Sequence, residues 1–472
     1  MKRNIISSLL FATLVLFSTS CGEFGDINID PNNTVSVAPE TLLTSALRTV
    51  SSVEGPAIGA LYAQHMAETQ YSDASRYLDV NFDFNGWYTG ALADLNEIIR
   101  LNESEDTAAD ALVSGSNANQ IAVARILKAF FFHHMTDRWG ALPYSTALQG
   151  RDNFKPSYDS QEAIYDAIFA ELDAAVAQMD GGNGVDGDFI FGGDMDKWAR
   201  FANTVRMTAA LRISNVNPSK AQTEFNAALA GGLIEENVMY PYLGETNNQN
   251  PWFGRFITRT DYAISDVLAD RLRDLNDPRL DAFADPAPAT GDVQGMPYGI
   301  EDAGSIPNSD VSFPHVSNVR GQDAPIGIYT MAQVYFCRAE AAVLGWTSDN
   351  AEEMYNMGVK ASMEQWGVFE ETAYNEYVTN DAPYDSADPL PGIGEQKWIA
   401  LYTQGYEAWK EWRRTGYPAL APAPDPLNAS GEIPRRQAYP TSERDLNADN
   451  YNAAVSAQGA DELSTRLWWD VN

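Results

Sequence analysis

Cysteine and histidine are scarce in this chain, at two and four of 472 residues. Cys21 lies at the edge of an apolar leader and Cys337 inside the helical pattern "MAQVYFCRAEAAVLG", which argues against a disulfide between them. No CxxC pair, HExxH, GxSxG elbow or GxxxxGK[ST] loop occurs. His133 and His134 are adjacent, point about 100° apart on a helix and cannot share a metal as i, i+4 histidines do. Gly182, Gly184 and Gly187 spell GxGxxG, but they follow a helix and lie among aspartates that repel a pyrophosphate. A glycosidase needs only two carboxylates at a set separation, and 65 acidic residues leave no way to choose a pair. Asp180, Asn183, Asp186 and Asp188 offer oxygen ligands, yet they lack the spacing and closing glutamate of a calcium loop and read as a solvated turn.

Basic residues are also few. Lys and Arg total 31, leaving a net charge of −34, which disfavours nucleic acid, anionic lipid surfaces and polyanionic glycans as partners. The same acidity also serves simply to keep an exposed protein soluble, for example in salty water. Long apolar runs are missing beyond Ile5–Phe17, which is too short for the roughly 20 residues that span a bilayer.

That run follows Lys2 and Arg3 and ends in Ser18, Thr19 and Ser20, the layout of a secretory signal peptide over residues 1–20. Cys21 then stands where a bacterial lipobox places its acylated thiol, although Ser18 occupies the position where Leu is usual. Acyl chains contribute about 0.8 kcal/mol per buried CH₂, so two or more tether a protein stably. The sequence predicts a lipid anchor at Cys21.

Over the whole chain, 44% hydrophobic and 11% aromatic residues suffice for a sizeable core. Helical periodicity dominates. "DSQEAIYDAIFAELDAAVAQM" spaces Ile164, Ile168, Leu172 and Val176 on one face, with Asp159 as the expected N-cap and Glu162 as its capping-box partner. Further helices are predicted near 39–52, 54–68, 87–101, 119–137, 195–215, 219–230, 264–275, 328–345, 350–366 and 394–414. Strand alternation is scarce. Ala339, Ala342 and Ala361 allow neighbouring helices to pack closely as in a tetratricopeptide-like pair, without a fixed repeat period. The predicted fold is mainly α, an irregular tetratricopeptide-like scaffold with few short strands and long loops at 231–262, 284–326 and 416–450, of a length that is usually functional. Trp409 and Trp412 read as core or arginine-stacked rings, and "AFFFHHM" as a core helix.

The segments "FGDINIDPNN", "AETQYSDASRY", "DRWGALPYS", "NDPRL", "YFCRAEAAVLGW", "GYEAWKEWRRTGYP" and "IPRRQAYPTSERDLN" follow one another in this order. Together they resemble the SusD/RagB family of Bacteroidetes outer-membrane lipoproteins. The resemblance covers residues 21–472 as one nutrient-binding domain. It implies a surface lipoprotein acting as a binding lid over a SusC-like TonB-dependent transporter, no enzyme, and no cofactor or metal.

Sugars present apolar C–H faces with polar rims, so a binding surface needs exposed rings beside amides and charges. Trp252 and Phe253 sit with Asn247, Asn248, Asn250 and Arg255 in "NNQNPWFGR", a stretch too polar to read as core. Tyr71, Asp73, Arg76 and Tyr77 follow a predicted helix, and Tyr298 lies in "GMPYG". The alternative is that these rings pack loops onto the scaffold. The expected function is oligosaccharide capture for import. Oligopeptide capture, a secreted glycan-active enzyme and a purely structural surface protein are the alternatives.

Overall fold

Stretches with an apolar residue every three or four positions form helices, several of which begin at a polar N-cap. The computed structural model describes residues 37–471; the leader and Cys21 lie outside them. The principal helices are α1 (Pro39–Glu54), α2 (Ala57–Tyr62), α3 (Ala91–Glu103), α4 (Asn117–Trp139), α5 (Gln161–Gln178), α6 (Met195–Arg212) and α7 (Pro218–Gly231). They continue with α8 (Pro251–Phe256), α9 (Asp266–Asp274), α10 (Met331–Val343), α11 (Ala351–Gln365), α12 (Pro389–Ala400), α13 (Gly405–Thr415) and α14 (Ala448–Gln458). Asp194, Asn217, Thr330 and Asn350 each accept a backbone N–H at the start of α6, α7, α10 and α11. Neighbours pack as antiparallel hairpins, α4 with α5, α6 with α7 and α10 with α11. In the last of these the close approach falls at Gly358, where a Cβ would stand 2.7 Å from the Phe336 ring.

Strands are confined, among the described residues, to three two-stranded antiparallel ladders. They pair β1 (Met66–Glu68) with β5 (Tyr262–Ile264), β2 (Leu142–Pro143) with β3 (Tyr158–Asp159), and β4 (Val238–Tyr240) with β6 (Ile326–Tyr329). The mainly α, helical-repeat expectation holds.

Several boundaries differ. The helix expected over 54–68 stops at Tyr62, because Gln64 turns to φ +57° and β1 follows. The helix expected over 394–414 divides into α12 and α13 at Thr403, φ +73°. Ser160, whose Oγ accepts the Ala163 N–H at 3.2 Å, caps α5 in place of Asp159. Asp159 lies in β3, where its carboxylate accepts the N–H groups of Tyr144 and Ser145. Helices α8 and α14 form in or beside stretches read as loops.

Helix α13, from "GYEAWKEWRRTGYP", is buried along its length up to Arg414. It crosses α2 backbone to backbone: a Cβ on Gly405 would lie 2.1 Å from Ala60 N, and one on Gly59 2.4 Å from Tyr406 N. Its charged side chains meet partners from four other segments. Arg212 contacts Asp137 (3.1 Å), Glu407 (2.8 Å) and Glu411 (2.5 Å). Lys397 reaches Glu411 at 2.6 Å, Lys410 reaches Glu407 at 3.0 Å, and Arg414 bridges Glu340 (2.5 Å) and Glu411 (2.7 Å). Four cations thus face four carboxylates, as a buried ionic cluster requires. Burial alone would raise the Glu407 carboxyl, but Arg212 and Lys410 hold it down at about 2. Trp409 packs inside with Arg413 at 3.6 Å from its ring centre, and Trp412 carries Arg435 at 4.6 Å.

Candidate functional site

The ladder of β1 and β5 runs on past its ends and builds an exposed corner. Thr69 donates its N–H to Asp261 O (2.9 Å) and its Oγ1 to Thr260 O (2.5 Å), which draws residues 70–73 alongside 257–261. Tyr71, at φ +51°, projects its ring outward and remains 71% exposed. The Arg259 guanidinium lies over that ring at 4.9 Å and is itself held by Asp261 at 2.7 Å. A third segment closes the corner: Ser72 Oγ donates to Glu301 O at 3.4 Å, and Asn308 Nδ2 to Thr260 Oγ1 at 2.8 Å. Exposed Ile257 and Thr258 flank Arg259, and exposed Gln70 and Asp73 flank the tyrosine. An exposed ring bordered by a guanidinium, amides, hydroxyls and carboxylates suits a sugar, whose C–H face stacks while its hydroxyls find both donors and acceptors.

Beneath this corner Glu68 is buried in β1, its carboxylate accepting Ser75 N–H (2.8 Å) and Oγ–H (3.0 Å). Burial raises it to about 7, against the pull of those hydrogen bonds.

The other predicted ligand residues fall elsewhere, and most are enclosed. Trp252 is 1% exposed, edge-on to Tyr262 at 5.7 Å and covered by Arg255 at 4.7 Å, so its ring is core and presents no face to a sugar. Asn250 is equally buried: Oδ1 caps α8 by accepting the Trp252 N–H at 2.6 Å, and Nδ2 donates to Val319 O and Ala324 O. Phe253 is partly buried on the same helix. Tyr77 is fully buried, its hydroxyl accepting the Ala423 N–H at 2.9 Å, and Tyr298 is buried with its hydroxyl donating to Leu61 O at 2.7 Å. Arg76 is tied to Asp425 O at 2.6 Å. These residues fasten loops to the scaffold, and Tyr71, Arg76 and Tyr77 follow strand β1, not the predicted helix. Of the predicted set only Tyr71 offers an open ring. Sequence reasoning misses Arg259, because nothing in "FITRTDYAI" other than its adjacency to β5 signals it.

The groups that looked metal-like have other partners. Asp188 accepts the N–H groups of Ile190 and Gly193 and the Trp198 indole, and Asp180 accepts the Ser116 hydroxyl and the Gly182 N–H. Glu54, His134 and Glu407 bring ligand atoms within 4.8 Å of one another. The Lys410 ammonium fills that place, 2.6 Å from His134 Nδ1 and 3.0 Å from Glu407. The two adjacent histidines are core residues; burial lowers His133 to about 4 and His134 well below the usual range.

Residues 31–440 match the family described as SusD-like, starch-binding associating with outer membrane. The chain belongs to the SusD-like family. Among solved structures, a chitin-binding protein is similar to this SusD-like chain with 29% identity and a TM-score of 0.81, covering 92% of this chain and 100% of its own. A chitin-binding SusD homologue from Flavobacterium johnsoniae has 27% identity and a TM-score of 0.80, with 92% and 99% covered. A SusD homologue from Bacteroides uniformis has 25% identity and a TM-score of 0.79, over the same shares. Among curated proteins no sequence match is found. No helix among the described residues of this SusD-like protein is long and apolar enough to cross a membrane.

Proposed function

We propose that this SusD-like protein captures oligosaccharides at the cell surface, tethered to the outer membrane through a lipid on Cys21, and passes them to a SusC-like TonB-dependent transporter. The observation that carries the capture step is the open Tyr71 ring with Arg259 beside it and polar loop residues around it, in a family described as starch-binding. Two solved neighbours named for chitin binding favour neutral β-linked glycans as the first to try. A transporter partner is supported by the family's description as associating with the outer membrane, since a binder anchored by acyl chains cannot itself move a cargo across the bilayer.

Migration of the purified protein through gels containing a panel of polysaccharides tests capture. Retardation by at least one neutral glycan, with no cleavage of it, is the expected result. Retardation by none, with binding to oligopeptides instead, would overturn the glycan reading in favour of peptide capture. The anchor is tested separately: Cys21→Ala should release the exported protein from membranes, and pull-down after mild detergent extraction of the native protein should recover a TonB-dependent barrel.

A further inference from the structure

Between the C-terminal half of α1 and residues 242–255 lies an open cleft of about 620 Å³. Its walls carry the hydroxyls and amides of Ser45, Thr49, Ser52, Asn247, Asn248 and Gln249, and two guanidinium groups, Arg48 and Arg255, border it. None of its lining residues is acidic, in a chain where acids outnumber bases by 65 to 31. This local reversal of charge is the first sign of a ligand.

The second is a set of unused donors. Tyr242, which lines the cleft, is 6% exposed, and its hydroxyl has no partner in hydrogen-bond geometry although Ser51 lies beside it. Arg255 is anchored through Nη2 to Gly55 O at 2.9 Å and by its stacking on Trp252, while its buried Nη1 has no partner. Exposed Arg48 makes one long bond, Nη2 to Asn247 O at 3.3 Å. Buried donors are almost always satisfied, so an orphaned N–H and O–H at a positively charged cleft call for an acceptor, and a carboxylate suits a guanidinium fork. The row of hydroxyls and amides beyond them matches a polyhydroxylated ligand; an apolar pocket for peptide side chains is lacking.

We propose that this cleft is a second binding site, separate from the Tyr71 corner, for an oligosaccharide bearing a single carboxylate. Arg255 and Arg48 take the carboxylate, Tyr242 donates its hydroxyl, and the amide row meets the sugar hydroxyls. The proposal rests on the glycan-capture reading and adds a uronic-acid preference to it. A single charge is specified because the −34 body repels a polyanion at range, whereas at 0.1 M salt that repulsion is screened beyond about 10 Å and the two arginines govern the cleft.

Calorimetric titration of the mature chain with xylotriose carrying one glucuronic acid, and with its carboxyl-reduced counterpart, tests this. The acidic saccharide should bind at least about tenfold tighter than the reduced one, the worth of one charge-assisted fork. Arg48→Gln and Tyr242→Phe should each reduce that preference while leaving the melting temperature unchanged, and Tyr71→Ala should weaken the carboxyl-reduced saccharide at the corner without removing the Arg48-dependent binding of the acidic one. Equal affinity for the two saccharides, or a preference indifferent to Arg48 and Tyr242, would overturn the proposal. A short peptide that matches the acidic saccharide with the same Arg48 dependence would also overturn it, by replacing the ligand class. Neutral binding that persists while the preference is absent refutes this cleft alone; binding confined to the acidic saccharide refutes the Tyr71 corner alone; absence of all saccharide binding refutes both.

Discussion

Replacing Tyr71 by alanine separates ligand recognition from stability with little ambiguity. The ring is 71% exposed, so its removal takes little apolar surface out of the core. The backbone at φ +51° burdens alanine as it does tyrosine, since both carry a Cβ. What is lost on the protein side is the cation–π contact with Arg259, about 0.5–1 kcal/mol at an exposed site, and Arg259 stays tethered to Asp261 at 2.7 Å. What is lost on the ligand side is an aromatic face, about 1–3 kcal/mol, or roughly ten- to a hundredfold in affinity. Tyr71→Phe keeps the face and should retain most of the affinity. Because a neutral sugar carries no charge, the wild-type affinity should change little between low and high salt. The assay is calorimetric titration of both variants with the neutral glycan that retards migration most, alongside thermal unfolding. Wild-type affinity in a folded Tyr71→Ala protein would remove this ring from the site. A strong salt dependence with that neutral glycan would contradict recognition by stacking and hydrogen bonds.

Three further perturbations test the scaffold. Trp252→Ala should cost about 3–5 kcal/mol in denaturant unfolding, because the ring is core and is held against Tyr262; a loss below about 1 kcal/mol would contradict its burial. Gly405→Ala should destabilise by about 1–3 kcal/mol or more, since the added methyl would sit 2.1 Å from Ala60 N and must push α2 from α13. Gly86→Ala, where a methyl meets nothing within 4 Å, is the neutral control. Glu68→Gln tests linkage. The folded chain holds the Glu68 proton to about pH 7 while the unfolded chain releases it near 4.5, so the stabilisation is full below 4.5 and lost as pH rises to about 7. Wild type should therefore lose on the order of 3 kcal/mol relative to Glu68→Gln between those limits, and urea unfolding at pH 5 and pH 8 that gives the same difference twice would refute it.

The helical architecture was legible because apolar spacing and N-cap residues act locally. Asn217 before Pro218 and Asn350 before an acidic turn mark their helices in the sequence as they do in the structure. The division at Thr403 was not legible, since apolar periodicity runs on through Leu401 and Tyr402 and only tertiary packing of α13 on α2 requires the break. "NNQNPWFGR" misled for a related reason. Its amides signal solvent only if water satisfies them, whereas Asn250 spends its side chain on three backbone groups and thereby draws Trp252 inside. In the proposed carboxylate cleft the stretch still contributes to recognition, through Asn247, Asn248 and Arg255 in place of the ring. Arg259 was invisible because its partner Tyr71 is almost two hundred residues away and meets it only through the strand ladder.

The ionic cluster around α13 also bears on how such a chain is made. Its members come from positions as distant as Asp137, Arg212, Glu340, Lys397 and Arg414, and the segment 434–438 that receives Trp409, Arg138 and Trp139 comes later still. A partly synthesised chain therefore holds Arg212 and Asp137 without the carboxylates and cations that make their burial tolerable, and early collapse around them is uphill. The interlock can close only when the C-terminal residues are present. For a chain carrying the secretory leader proposed for residues 1–20 this would be an advantage in transit: a thread that cannot lock before its end has arrived would stay extended enough to pass through a narrow export channel and commit to its final form on the far side.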